Sequence, residues 1–285
     1  MPYPLNNLAY GLRCRLSELA TPVERYDLQI AAGSPSICPP KLQYIEIFDN
    51  LDIEYQNGTF FVSKNLIPFV PFVYDSNTLI TGKVTICLRG LDLSDLQSDA
   101  FFHVLCQSSG LILWQCATTE PFIETIFSKT CRTTANFKVG CSGSSSTVNF
   151  AELLTHLPKV VRVSIYSVCI AKSWISDVQR FAEHPLKSLH FSLHEDQFEP
   201  FDANEFVTFV KTRRQGFILV LSVTDVNRKF VSYFSKLKSA LDRHLTREPR
   251  GQAFHEPTDY TRVTINVYKR KTRWIVSTNK ERNEL

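Results

Sequence analysis

The sequence predicts an α/β protein in which helices cover only one face of a parallel sheet. Short runs that alternate apolar and polar residues recur every 24 to 28 residues from Val84 to Val223, as in 135–139, 161–165 and 189–193, and a helical stretch follows each run. Such alternation is typical of a strand with one buried and one wet face, whereas a sheet covered on both faces has strands that are apolar throughout. The expected architecture is therefore a one-sided solenoid.

The first element is an amphipathic helix, expected over residues 5–20. Its leucines recur at spacings of three and four residues, which places them on one stripe of the helix: Leu5, Leu8, Leu12, Leu16 and Leu19. A second helix is expected over about 22–32, because Thr21-Pro22-Val23-Glu24 supplies a capping residue, a first-turn proline and a glutamate three residues after the cap. Gly33 is the expected stop signal.

A β-hairpin and a connecting loop are expected over residues 41–80, after the helical module of residues 1–40. Residues 42–48 and 51–62 have the composition of strands, and Asn57-Gly58 predicts a two-residue hairpin turn. The stretch 63–80, which contains prolines, is the expected loop.

Residues 81–250 contain the repeated β/α units. Their strands are expected to start near 84, 111, 135, 160, 188 and 217, and their helices fall near 94–108, 121–130, 149–157, 171–183, 202–214 and 229–246. Spacings of 24 to 29 residues lie within the range of leucine-rich repeats, although the asparagine ladder of that consensus is missing. The prediction is an irregular leucine-rich-repeat-like solenoid, with a flexible loop over 140–146.

Residues 251–285 are predicted to form a basic terminal β-hairpin and tail. Residues 211–285 contain 17 Lys and Arg against 7 Asp and Glu. Strands over Thr261–Tyr268 and Arg273–Ser277 would flank a turn at Lys269-Arg270-Lys271-Thr272. Two interpretations stay open: Tyr268 and Trp274 could stack on a nucleic acid strand, or the cations protect an edge strand from pairing, which is the favoured interpretation.

The sequence contains none of the motifs that would indicate catalysis, a cofactor or a membrane span. Phosphate-binding glycine motifs are missing, and no acid–base constellation stands out, so we expect a protein that is not an enzyme and needs no cofactor. His190 and His194 would share a strand face without a third ligand, which argues against a metal site. The eight scattered cysteines are expected to be buried thiols of a reducing compartment, and no apolar run reaches membrane-span length.

A one-sided sheet leaves a row of side chains open to a partner. We expect that face to bind a target protein through the outward residues of the strands, with Arg162, Tyr166 and Trp114 as anchors. The candidate residues are Trp114, Asn136, Lys138, Arg162, Ser164, Tyr166, His190, Ser192 and His194.

The N-terminal residues resemble the short F-box-like motif of the large nematode F-box and F-box-associated families. The resemblance is carried by Pro4-Leu5, by 8–12, by Leu16-Ser17-Glu18-Leu19, by Glu24-Arg25-Tyr26, and by Pro35-Ser36-Ile37 before the strand at 42–48. It covers residues 2–48 and is only architectural from 84 onward. A full F-box has three helices over about 40 to 50 residues, whereas here about 30 precede the first strand.

This resemblance implies a non-catalytic adaptor of a cullin-based ubiquitin ligase, in the cytoplasm or nucleus. The helical module would dock on the linker subunit of the ligase, and the repeats would hold the target. The docking candidates are Leu5, Leu8, Leu12, Leu16, Leu19 and Pro22. Three alternatives remain: the first helix could instead cap the open end of the sheet, the protein could be a scaffold without ligase docking, or the basic C-terminal third could bind nucleic acid.

Overall fold

The structure is a computed structural model that describes residues 7–33, 43–65, 67–130, 134–140, 147–248, 260–268 and 270–276. The chain divides into two compact units, Met1–Cys131 and Arg132–Leu285. Each unit contains an open sheet, and the fold class is mixed α/β with mostly parallel strand pairing. The boundary between the units falls inside the predicted repeat region 81–250.

The helices and strands alternate along most of the chain. The helices are α1 Tyr10–Leu19, α2 Pro22–Ala32, α3 Leu93–Leu96, α4 Glu120–Lys129, α5 Phe150–His156, α6 Trp174–Arg180, α7 Ala203–Thr212 and α8 Val231–His244. The strands are β1 Glu46–Gln56, β2 Thr59–Lys64, β3 Val70–Pro71, β4 Ile80–Arg89, β5 Gly110–Trp114, β6 Asn136–Gly140, β7 Thr147–Val148, β8 Arg162–Tyr166, β9 Cys169–Ile170, β10 Ser188–His194, β11 Ile218–Thr224, β12 Thr246–Arg247, β13 Thr261–Val267 and β14 Arg270–Val276.

The two N-terminal helices differ in how firmly the sequence specifies them. The Thr21 hydroxyl accepts a hydrogen bond from the backbone N–H of Glu24, and the Glu24 carboxylate accepts one from the backbone N–H of Thr21. Gly33 ends α2 with a φ of 72°, as predicted. The helix predicted over 5–20 instead begins at Tyr10. It buries none of its residues, so tertiary packing does not extend it toward the N-terminus.

The sheet of the first unit has the order β3-β2-β1-β4-β5. Strands β1 and β2 pair across Asn57-Gly58, where both residues have positive φ values, 49° and 82°, as the predicted tight hairpin requires. The two predicted strands 42–48 and 51–62 are wrong in their bounds, because residues 46–56 form one strand with an irregularity between Phe48 and Asn50. The predicted loop 63–80 contains the edge strand β3.

The helix predicted over 94–108 is mostly absent. The short helix α3 is followed by a 3₁₀ turn at Ala100–His103, and Val104 then makes a parallel bridge to Ile80. The Ser98 hydroxyl donates to the carbonyl of Asp95 at the end of α3, and such local side-chain bonds compete with helix continuation.

The second unit has the strand order β6-β8-β10-β11-β13-β14-β12, and its first five strands are parallel neighbours in chain order. A separate parallel pair joins β7 and β9. On β8, β10 and β11 buried residues alternate with exposed or half-buried ones, as the sequence predicts. The predicted loop over 140–146 lies outside the described residues except for Gly140, which ends β6.

Helices α5, α6, α7 and α8 cover the face that carries the buried strand residues. The Phe191 ring on β10 lies edge-on to Phe150 of α5 at 5.9 Å and to Trp174 of α6 at 5.1 Å. Phe209 of α7 contacts Phe217, which precedes β11, at 6.0 Å. Large aromatic rings therefore fill the layer between the sheet and the helices, and their burial supplies much of its stability.

The C-terminal hairpin is part of the sheet. Strand β13 pairs in parallel with β11, and β14 returns antiparallel to β13. The predicted four-residue basic turn is wrong, because Arg270, Lys271 and Thr272 already pair with residues of β13. Trp274 lies fully buried on the helix side, and its indole N–H donates to the Asp242 carboxylate at 2.7 Å.

Five of the eight cysteines lie in the described residues. Cys87, Cys106 and Cys116 are buried, Cys14 and Cys169 are half-buried, and all five are free thiols. Burial raises the pKa of Cys116 to about 11. In the part of the chain that the structure describes, no helix is both long and apolar enough to cross a bilayer.

Candidate functional site

The side of the second sheet that points away from α5–α8 is called here the open face. Eight of the nine candidate target-binding residues lie on it, at the alternate positions of β6, β8 and β10 that are not buried. They are Asn136, Lys138, Arg162, Ser164, Tyr166, His190, Ser192 and His194. The sequence therefore predicted correctly which residues of these strands point away from the helices, because the residues between them along each strand are buried.

The parallel register aligns these side chains in rows that cross the strands. Asn136 stands opposite Arg162, and Lys138 stands opposite Ser164, which faces His190 on the next strand. Tyr166 is opposite Ser192. Since neighbouring strands are about 4.8 Å apart, each row is continuous and can be contacted by one ligand.

The first two strands of the open face carry two exposed cations. The Arg162 guanidinium donates to the Asn136 side-chain oxygen at 3.4 Å, and Lys138 is exposed on the adjacent row. Burial, followed by the positive charge of Lys138, lowers the pKa of His190 below its usual value. The His190 ring is therefore neutral near pH 7, and it packs edge-on against Tyr166 at 5.4 Å.

Strands β11, β13 and β14 extend the open face beyond the residues that the sequence predicts. The register continues through Ile218 to Arg262, and through Val220 to Thr264 and Arg273. In the sequence, polar Arg262, Thr264 and Asn266 alternate with apolar Val263, Ile265 and Val267, which was a usable signal, although Thr264 is itself buried. It was missed because this segment was assigned to a separate terminal hairpin.

A nearly buried carboxylate partly neutralises the C-terminal end of the open face. Glu248, whose side chain is 6% exposed, accepts from Arg273 at 3.4 Å and pairs with Arg262 at 3.8 Å. Two guanidinium groups thus share one carboxylate, and Lys271 on the same face is exposed. This end of the face remains cationic.

The ninth candidate, Trp114, lies in the first unit at the end of β5. It is half-buried and stands opposite Arg89 of β4, whose guanidinium donates to the Asp52 carboxylate at 3.0 Å. The surroundings of Trp114 thus contain both signs of charge, unlike the rows of the second unit.

The candidate docking residues divide into exposed and buried ones. Leu12, Leu16 and Leu19 are 59%, 37% and 69% exposed on α1. Leu8 precedes the helix and is half-buried, and Leu5 lies outside the described residues. Pro22 is buried at the start of α2, so its assignment to a docking surface is wrong. Its ring fills the first turn of α2, where a proline costs no hydrogen bond.

The aromatic pair proposed to stack on nucleic acid is engaged inside the fold. Trp274 is fully buried, and the Tyr268 hydroxyl donates to the Asp225 carboxylate. Burial, followed by this hydrogen bond, raises the pKa of Tyr268 to about 12. The Asp225 carboxylate also accepts from the backbone N–H groups of Lys229 and Phe230, both at 2.8 Å, so the cluster holds the start of α8 against the end of β11.

Comparison with known proteins finds no match to this chain. No family model matches the chain, and neither a curated protein nor a solved structure matches it. Among the described residues, no group of three or more His, Cys, Asp or Glu side chains is arranged to hold a metal ion.

Proposed function

We propose that this chain is a non-catalytic adaptor that brings a target protein to a cullin-based ubiquitin ligase in the cytoplasm or nucleus. Helix α1 would dock on the linker subunit of the ligase, and the open face of the second unit would hold the target. The observation that carries the docking part is the exposure of Leu12, Leu16 and Leu19 along one stripe of a helix that buries none of its residues.

The exposed stripe supports docking better than capping of the sheet. A leucine that becomes fully buried gains about 1.5–3 kcal/mol relative to one left in water, so three exposed leucines on one helix favour a covering partner. In the first unit, hydrogen bonds from α2 attach the two N-terminal helices to the segments that precede β1 and β4. Gln29 exchanges two hydrogen bonds with the backbone of Gln43, and Arg25 donates to the Ser76 carbonyl. That attachment leaves the stripe of α1 in solvent.

We further infer that the β/α units of the second unit are an irregular leucine-rich-repeat-like solenoid. The support is the arrangement of β6, β8, β10, β11 and β13 as parallel neighbours in chain order, each followed by a helix up to β11. A sheet with helices on one side leaves its other side available to a partner, which is how solenoids bind proteins.

Affinity purification followed by mass spectrometry tests ligase docking. The full chain should retain the linker and cullin subunits, and Leu12→Asp with Leu16→Asp should lose them. Ile67→Asp with Val73→Asp is the matched control, because these residues are also exposed in the first unit, at 61% and 87%, but do not belong to α1.

Each outcome of this experiment decides between adaptor and scaffold. Loss of the ligase subunits from the α1 variant alone supports the adaptor. Their absence from the wild-type chain, or equal retention by the α1 variant, refutes ligase docking and leaves the scaffold alternative. Both variants replace exposed side chains, so circular dichroism should show melting within a few degrees of the wild type.

A further inference from the structure

The open face of the second unit has an uneven charge. None of its described strand positions, from β6 to β14, carries an aspartate or a glutamate. Among the described residues, five cations occupy it, namely Lys138, Arg162, Arg262, Lys271 and Arg273. The Glu248 carboxylate pairs with Arg262 and Arg273. A surface of this sign attracts and orients an anionic partner.

The cations are gathered at the two ends of the face. Lys138 and Arg162 stand on β6 and β8, and the other three stand on β13 and β14. The strands between them, β10 and β11, present small or neutral side chains, including half-buried Val220 and Ile218, which is 39% exposed. An uncharged centre that includes Ile218 and Val220, between two cationic ends, suits a ligand with an apolar group between its charges.

The spacing of the two ends matches an extended peptide that crosses the strands. From β8 to β13 there are three strand intervals, or about 14 Å at the usual separation. In an extended chain, residues four positions apart are separated by about 13 Å and lie on the same side. Carboxylates at such positions would reach Arg162 and Arg262, and the side chain between them would lie near Ile218, which stands in the same row.

We propose that the open face binds an extended acidic segment of the target, with carboxylates four positions apart and an apolar residue between them. This inference rests on the proposed function, in which the same face holds the target. A single nucleic acid strand fits less well, because its phosphates would also cross the neutral centre. The aromatic side chains on the described face are Tyr166, His190 and His194. Tyr166 and His190 pack edge-on against each other, so the three rings do not form a row of stacking surfaces.

Fluorescence anisotropy with the full chain tests the proposal. The probe is a fluorescein-labelled ten-residue peptide with two glutamates four positions apart and valine midway between them. Its counterpart has lysines in place of the glutamates, and a ten-nucleotide oligothymidylate is the third probe. We expect saturable binding of the acidic peptide at 50 mM salt, and no binding of the lysine peptide.

Two charge-reversal variants locate the site. Lys138→Glu with Arg162→Glu should weaken binding of the acidic peptide about tenfold or more, since two exposed attractions become repulsions. Lys159→Glu with Lys236→Glu changes the net charge equally at exposed positions off the open face, and should stay within about twofold of the wild type.

Three results would overturn the proposal: no binding of the acidic peptide, equal weakening by both variants, or tighter binding of the oligothymidylate with the same dependence on Arg162. The last result would assign the face to nucleic acid. Peptide binding does not involve α1, so a chain that binds the peptide but retains no ligase subunit would refute docking while leaving this inference intact.

Discussion

Two adjacent residues on β10 allow a test of whether helices cover only one face of the sheet in the second unit. Phe191 points toward the helices and is fully buried, whereas His190 points to the open face and is half-buried. If helices cover only one side, Phe191→Ala should destabilise the second unit strongly and His190→Ala weakly. The two substitutions share one strand and one backbone environment, so each controls for the other.

The expected magnitudes follow from the contacts of the two rings. Phe191 packs edge-on against Phe150 and Trp174, and truncation of such a core ring costs about 3–5 kcal/mol. His190 contacts the Tyr166 ring and retains solvent on its other side, so its truncation should cost about 1 kcal/mol or less. For a unit of this size, 1 kcal/mol shifts Tm by about 2–4 °C. The expected losses are therefore about 6–20 °C for Phe191→Ala and less than about 4 °C for His190→Ala.

Thermal unfolding followed by far-ultraviolet circular dichroism measures the two shifts. Hydrogen exchange of peptides from β8 to β11 reports on the second unit by itself, which matters because two compact units need not unfold together. Phe191→Leu keeps most of the apolar volume, so its Tm should fall less than that of Phe191→Ala. A loss in His190→Ala as large as that in Phe191→Ala would show that the second face of the sheet is also packed, and would refute the reasoning.

Two further predictions concern the C-terminal hairpin. Trp274→Phe keeps a buried ring but removes the indole N–H that donates to Asp242, so urea unfolding should show a loss of about 1.5–3 kcal/mol; an unchanged midpoint would contradict a structural role for this bond. In Asp225, burial alone would raise the pKa, but the hydrogen bonds from Tyr268 and two backbone N–H groups outweigh it and lower the pKa. A lowered native pKa contributes stability that is present above the unfolded value of about 3.9 and is lost as the pH falls through the native one. Asp225→Asn should therefore be less stable than the wild type at pH 7 in urea unfolding. The difference in unfolding free energy between the two proteins should shrink only below about pH 4, and a difference that does not depend on pH would contradict this assignment.

The sequence predicted best where one local signal decides the structure. Thr21, Glu24 and Gly33 specify both ends of α2, and Asn57-Gly58 specifies the hairpin turn. Alternation in β8 and β10 predicted which side chains face outward, because a one-residue slip would exchange the two faces. These signals act within one turn or one strand, so no tertiary information was needed to interpret them.

The errors arose where distant contacts outweigh local preference. The run 217–221 was predicted to be an alternating strand although all five residues are apolar. Packing against the helices decides that Leu219 and Leu221 are buried while Ile218 is exposed. Trp274 belonged to the less favoured nucleic-acid interpretation, and Pro22 was a docking candidate implied by the F-box-like resemblance. Both are buried by neighbours that pattern analysis does not reveal.

The amino-acid sequence alone determined the α/β class, the spacing of the parallel strands and the identity of eight side chains on the open face, since hydrophobic periodicity is a property of the chain itself. Only the tertiary structure decided that β13 and β14 continue that face. Their pairing places Arg262 in the row of Arg162, Arg273 in the row of Lys138 and Lys271 in the row of Tyr166. The tertiary structure also decided that the leucines of α1 stay in solvent. Strand pairing and helix packing join residues far apart in the chain, and their free energy depends on which surfaces meet in three dimensions.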